Sequence, residues 1–187
     1  AFKKTISRIS DSEDYRISIS LLNNFQENAI EKIRSGFDQN KVVLIHGIAA
    51  SGKTELYIHL IRDIVRSGRQ VLYLLPEIAL TAQIINRLKN VFGRKVGIYH
   101  SRLNSQERVE IWNKVLQYGT EPESGYQIIL GTRSSVFIPF SDLGLIIVDE
   151  EHESSYKQGE TPRYQARDMA VVRGTRLDAA VVLGSAT

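Results

Sequence analysis

Six short, mostly apolar runs constrain this chain more than any other feature. Val71-Leu72-Tyr73-Leu74-Leu75 and Leu145-Ile146-Ile147-Val148 carry no polar residue at alternate positions. A strand-length run without alternation is buried on both faces, as in a parallel sheet covered by helices. Strands are predicted on this basis at 41–46, 71–75, 95–99, 126–130, 144–149 and 180–184. Apolar residues at helical spacing predict helices at 53–66, 79–91, 105–117 and 166–173. A further helix is expected at 24–34, where Phe25, Ala29, Ile30 and Ile33 recur and Gly36 reads as the stop. Trp112, with Val109, Ile111 and Leu116, reads as core packing. Strand–helix alternation builds an α/β fold with a mostly parallel twisted sheet and helices on both faces.

The stretch Gly47-Ile48-Ala49-Ala50-Ser51-Gly52-Lys53-Thr54 reads G-x-x-x-x-G-K-T, a phosphate-binding loop. It follows the run Val42-Val43-Leu44-Ile45 and precedes a helical pattern from Glu55, the strand–turn–helix context that the motif needs. Backbone N–H groups of the turn and the positive helix end hold polyphosphate in such a loop. Lys53 would neutralise the β- and γ-phosphates, and the Thr54 hydroxyl would hold Mg²⁺. An ordinary glycine-rich turn is the bland alternative, and the agreement of strand, loop and helix weighs against it. The nucleotide-binding candidates here run from Gly47 through Ile48, Ala49, Ala50, Ser51, Gly52, Lys53 and Thr54 to Glu55. A phosphate loop needs a carboxylate, and the strand at 144–149 supplies one. Asp149 at its carboxyl end would hold Mg²⁺ through water, and Glu150 would orient or deprotonate the attacking water. Lys53, Asp149 and Glu150 are therefore the catalytic candidates. Ligands of open α/β sheets sit at the carboxyl ends of strands, where each polar motif of this chain falls.

Composition excludes several classes. Among 187 residues there is no cysteine, so disulfides and thiolate metal sites are ruled out, which fits a reducing cytoplasm. No apolar stretch is long enough to span a bilayer, and Ala1-Phe2-Lys3-Lys4 does not lead into a signal sequence. A cytoplasmic protein without a membrane partner is expected. The net charge of +3 is compatible with a nucleic-acid partner and too mild to argue for one. Residues 1–20 read as a linker or edge segment from an upstream domain, with Arg16-Ile17-Ser18-Ile19 either a short strand or a linker. Residues 21–187 read as one domain.

Other polar residues admit two readings. Residues 153–165 form a polar loop carrying Tyr156, Lys157, Arg163 and Tyr164. Aromatics with interleaved cations suit single-stranded nucleic acid, where stacking is worth about 1–3 kcal/mol per base. On the residues alone, a solvated loop with its tyrosines packed on the domain surface is the better supported reading. Arg133, with Ser134 and Ser135 after a strand, reads equally as a phosphate grip or an exposed turn. Thr81 opens a helix and fits an N-cap. His152 has no second metal ligand at suitable spacing, so a hydrogen bond to Ser185, Thr187 or the aromatic loop is expected.

Asp149-Glu150-Glu151-His152 is a motif II of the DEEH type, and from about residue 20 to Thr187 the chain resembles the superfamily 2 helicases. Within these it is similar to the bacterial primosomal replication-restart helicases. Leu22-Asn23-Asn24-Phe25-Gln26 resembles the adenine-reading segment. Leu75-Pro76-Glu77-Ile78-Ala79-Leu80-Thr81 resembles motif Ia, and Gly131-Thr132-Arg133-Ser134-Ser135-Val136-Phe137 resembles motif Ib. Tyr156-Lys157-Gln158, Pro162-Arg163-Tyr164 and Ala166-Arg167-Asp168 continue motif II, and Gly184-Ser185-Ala186-Thr187 resembles motif III. The resemblance implies a RecA-like P-loop domain, the first motor domain of an ATP- and Mg²⁺-dependent 3′-to-5′ DNA helicase acting at stalled forks. It implies that Gln26 reads adenine, and that Thr81, Thr132, Arg133 and Ser134 touch DNA. It implies that Tyr156, Lys157, Arg163 and Tyr164 sense DNA, and that Glu151, His152, Ser185 and Thr187 couple the sites. Single-stranded and forked DNA, primosome proteins and single-stranded-DNA-binding protein are the implied partners. The family's zinc-binding cysteines lie in its C-terminal part, outside this sequence.

Ala49 and Ala50 depart from the family loop, which carries a hydroxyl and a further glycine. The family's second motor domain supplies an arginine finger, and a finger of this kind is worth roughly 10³–10⁵ in rate. The isolated chain is therefore expected to hydrolyse ATP slowly or not at all and to unwind nothing. A P-loop kinase or metabolic ATPase, and a non-catalytic module using nucleotide as a switch, are the competing readings.

Overall fold

The structure, a computed structural model, describes residues 19–47 and 52–186. Ile48, Ala49, Ala50, Ser51 and Thr187 lie outside the described residues. So does nearly all of the segment 1–20, including the strand-or-linker choice at 16–18.

Among the described residues, eleven helices and strands follow in chain order: α1 (Asn24–Asn40), β1 (Val42–His46), α2 (Lys53–Arg66), β2 (Gln70–Leu74), α3 (Ala82–Phe92), β3 (Val96–Tyr99), α4 (Ser105–Gln117), β4 (Ile128–Gly131), β5 (Leu143–Val148), α5 (Ala166–Leu177) and β6 (Ala180–Ser185). Short 3₁₀ turns occupy Gly93–Lys95, Arg133–Phe137 and Ser154–Tyr156. The strands form one six-stranded sheet in the order β1-β6-β5-β2-β4-β3, every pair parallel. All six carboxyl ends therefore emerge at one edge of the sheet.

The apolar runs are explained by burial on both faces. From β2, Val71 and Tyr73 pack with Tyr57, Leu60 and Ile61 of α2 and Leu88 of α3. The intervening Leu72 and Leu74 pack on the other face with Ile111 and Val115 of α4 and Ala166 and Ala170 of α5. β1 is an edge strand, and its Leu44 stays 60% exposed. No helix among the described residues is long and apolar enough to cross a membrane.

Three expectations need correction. Gly36 does not stop α1, which continues to Asn40. Gly36 instead faces β1, where a Cβ would lie 2.7 Å from Val43 Cγ2, so its small size lets the helix approach the sheet. Trp112, Val109 and Leu116 are not core: they are 42%, 59% and 44% exposed. Two apolar stripes share α4, and the one facing the sheet is Ile111, Val115 and the following Tyr118. The helix expected from 79 begins at Ala82, because residues 76–80 close a turn in which Ala79 N–H and Leu80 N–H donate to Pro76 O.

Candidate nucleotide site and its surrounding loops

Three strand ends meet around Lys53. It is the first residue of α2, preceded by Gly52 at φ +87°, and it is buried. Its ammonium donates to Gly47 O at 2.8 Å, Ser185 O at 3.1 Å and Glu150 Oε1 at 3.4 Å. Those acceptors follow β1, end β6 and follow β5. A lysine has three donors, so all are engaged. Glu150 adopts φ +47°, a left-handed conformation uncommon for a residue with a side chain. Such strain, of order 1–3 kcal/mol, clusters at functional sites. Thr54 is half-buried beside Lys53, and Glu55 forms an ion pair with Arg87 of α3.

Asp149 leaves β5 with its carboxylate held from three directions. Tyr57 of α2 donates to Oδ1 at 3.1 Å, Tyr73 of β2 donates to Oδ2 at 3.1 Å, and Glu150 N–H donates to Oδ1 at 3.1 Å. Burial pushes the Asp149 carboxyl above its ordinary range, while the hydroxyl bonds from Tyr57 and Tyr73 pull the other way. Beyond it, Glu151 pairs with Arg167 at 3.0 Å, and its N–H donates to Gly184 O at 2.8 Å. His152 Nδ1 lies 3.3 Å from Ser185 Oγ, and its Nε2 lies 4.0 Å from Glu150 Oε2.

No group of three or more His, Cys, Asp and Glu side chains forms a metal cage among the described residues. Mg²⁺ does not need one, because it binds through one or two carboxylates together with phosphate oxygens and waters. The Thr54 hydroxyl and the Asp149 carboxylate are hard oxygen donors of that kind. A carboxylate offers about four acceptor sites, so beside the three hydrogen bonds from described residues Asp149 has room for one more partner. The donor set fits the ion.

The surrounding loops divide the remaining candidates. Gln26 completes a capping box with Asn23 at the start of α1, its Oε1 accepting from Asn23 N–H at 3.0 Å. Its Nε2 lies beside Gly52, 2.5 Å from where a Cβ would sit, so Gln26 reaches the phosphate loop. Thr81 occupies the N-cap position of α3 without a side-chain capping bond and is exposed. Thr132 is buried and Ser134 half-buried. Arg133 turns inward: its Nη1 donates to Ser155 O at 3.2 Å and Lys157 O at 2.8 Å, tying the 133–137 turn to the loop after motif II. Tyr156 departs most from expectation. It is fully buried, and its hydroxyl donates to Asp149 O at 2.6 Å, so its ring has no face to offer a base. Tyr164 is half-buried and packs edge-on against Phe137, ring centroids 4.8 Å apart. Lys157 and Arg163 remain exposed.

The profile of the DEAD/DEAH box helicase family matches residues 23–187, nearly the whole chain. The chain belongs to this family. Curated relatives include the replication restart protein PriA of Bacillus subtilis, 44% identical over 164 residues. The PriA proteins of Chlamydia trachomatis and Haemophilus influenzae are 41% and 46% identical over 198 and 154 residues. These alignments cover 87%, 99% and 82% of this chain and only 20%, 26% and 20% of the relatives. The chain thus spans about a fifth to a quarter of their length. Among solved structures, the Type ISP restriction-modification enzyme LlaGI in complex with a DNA substrate mimic aligns with a TM-score of 0.61 over 90% of this chain and 18% of its own. The Sulfolobus solfataricus SWI2/SNF2 ATPase core in complex with dsDNA aligns with a TM-score of 0.58 over 94% of this chain and 34% of its own. At 16% and 14% identity these likenesses bear on the fold alone, a RecA-like α/β domain.

Two residues of the helicase domain's site escaped the sequence reading. Tyr57 read as part of the helical pattern after the phosphate loop, and Tyr73 as one apolar residue in a strand. Neither position carries a motif, and only the packing of α2 against β2 shows that both hydroxyls meet Asp149.

Proposed function

We propose that this chain is the ATP-binding first motor domain of a 3′-to-5′ DNA helicase acting in replication restart, coupling ATP hydrolysis to movement along DNA. One observation carries the reading: the Lys53 ammonium lies 3.4 Å from Glu150 Oε1, with Asp149 next in chain, at the edge where the phosphate loop emerges. Similarity to replication restart proteins supports the choice of this helicase class over a kinase or metabolic ATPase. In this reading residues 47–55 cradle the phosphates and Gln26 reads the adenine. Arriving phosphate oxygens replace Glu150, the longest of the three contacts of Lys53. Glu150, released, is free to accept a proton from water. The Thr54 hydroxyl and the Asp149 carboxylate would hold Mg²⁺, which would supply positive charge against the developing negative charge of the phosphates. Glu151, His152, Ser185 and Thr187 link this site to motif III.

Single-stranded and forked DNA would track the strand-end edge. Exposed Thr81, Lys157 and Arg163 contact phosphates there, with Thr132, Arg133, Ser134 and Tyr164 shaping the surface. Primosome proteins and single-stranded-DNA-binding protein are the partners this reading implies. The test is ADP titration and single-strand-stimulated ATP hydrolysis on the intact gene product, with Lys53→Ala. Both activities should vanish while the protein stays folded, with an unfolding midpoint lowered only by the loss of the three Lys53 contacts. Unchanged ADP affinity in the variant would refute the nucleotide site. A fork-binding shift absent from the wild-type protein would return the choice to a kinase or metabolic ATPase.

A further inference from the structure

We propose that Tyr57 and Tyr73 are positioning residues for the divalent cation, their two hydroxyls fixing the orientation in which the Asp149 carboxylate meets the ion. The inference rests on the nucleotide reading above and goes beyond the residues assigned there.

The two tyrosines come from different elements, α2 and β2, yet converge on one carboxylate with one hydroxyl per oxygen. Both are fully buried. Their rings brace each other edge-on, centroids 5.6 Å apart at 73°. The carboxylate therefore cannot rotate without breaking a buried hydrogen bond. Oδ1 receives two donors, Tyr57 and Glu150 N–H, which fill its two lone pairs. Among the described residues Oδ2 receives Tyr73 alone, which leaves one lone pair for the ion or an ion-bound water. Both donors are neutral hydroxyls, so they orient the carboxylate without taking up its negative charge, which stays available to a cation. An arginine or lysine in either place would have competed with the ion.

The chain also keeps space for this arrangement. Gly184 of β6 faces the Tyr57 hydroxyl, and a Cβ there would come within 1.9 Å of that oxygen and 3.1 Å of Asp149 Oδ1. Any side chain at 184 would push Tyr57 off Asp149. Gly184 lies in the segment that motif III occupies, so its lack of a side chain has a local cause.

Partners that orient a metal-binding carboxylate typically affect metal affinity by about 10–100-fold. Tyr57→Phe and Tyr73→Phe each delete one oxygen and keep the ring. Gly184→Ala attacks the same bond from another strand while leaving both tyrosines intact. The experiment measures ADP binding by the intact gene product as Mg²⁺ is varied, with a parallel titration in EDTA. In each variant the Mg²⁺ concentration for half-maximal enhancement of ADP binding should rise about 10-fold or more, with affinity in EDTA unchanged and excess Mg²⁺ restoring full binding. A folded Tyr57→Phe or Tyr73→Phe with the wild-type Mg²⁺ midpoint would overturn the proposal. So would an equal loss of ADP affinity with and without Mg²⁺, which marks a merely structural role. Wild-type protein that binds no ADP at any Mg²⁺ concentration would fail the nucleotide reading itself, a failure visible without any variant.

Discussion

Tyr156 distinguishes two kinds of residue in the loop after motif II. A tyrosine that stacks on DNA is dispensable for folding, whereas this one is fully buried and donates to Asp149 O at 2.6 Å. Burial pushes its hydroxyl far above the ordinary tyrosine range, so it stays protonated as a donor. Tyr156→Phe keeps the ring and strands the Asp149 carbonyl, a loss of about 1–3 kcal/mol. Near 2–4 °C per kcal/mol for a chain of this size, the melting midpoint should fall by roughly 2–12 °C. Tyr156→Ala also removes the buried ring, worth about 3–5 kcal/mol for a large aromatic. Together these losses reach about 4–8 kcal/mol, against a total stability of about 5–15 kcal/mol for a typical domain. Tyr156→Ala should therefore lose a large share of that stability, with a melting midpoint roughly 8–32 °C below wild type. Lys157→Ala, next in chain and exposed, should stay within about 0.5 kcal/mol of wild type. Urea and thermal unfolding of this chain, without nucleotide or DNA, give all three values. A Tyr156→Ala variant within about 1 kcal/mol of wild type would refute the buried placement and return the ring to the surface, as such losses exceed typical surface effects.

Two further outcomes follow from the same geometry. Arg133→Ala removes the guanidinium that holds Ser155 O and Lys157 O, so amide hydrogen exchange across 154–158 should accelerate; unchanged protection there would mean the tether holds nothing. Burial raises the Asp149 carboxyl in the folded chain, so between its ordinary value of 3.8 and the raised value the folded state binds more protons than the unfolded state and stability falls as pH rises. Asp149→Asn should flatten that decline in nucleotide-free unfolding curves, and a decline as steep as wild type would show that another group causes it.

The sequence by itself determined the strand–helix order, because unalternated apolar runs admit few arrangements other than a sheet covered on both faces. It also determined which strand ends carry chemistry, because the phosphate loop and the acidic pair have fixed neighbours in chain. What it left open was decided by contacts between residues far apart in sequence. α4 offers two apolar stripes, and which one faces the sheet depends on the packing of strands such as β3, β4 and β2 beneath it. Gly36 reads as a helix stop by local rule, yet the approach of α1 to Val43 decides its role. Tyr156, Arg133, Tyr57 and Tyr73 look like surface or core side chains according to type. Their hydrogen bonds cross 7, 22 to 24, 92 and 76 positions, and only the folded chain brings those partners together. Periodicity records which face of an element is buried, whereas a hydrogen-bonded partner is chosen by the directions in which separate elements cross.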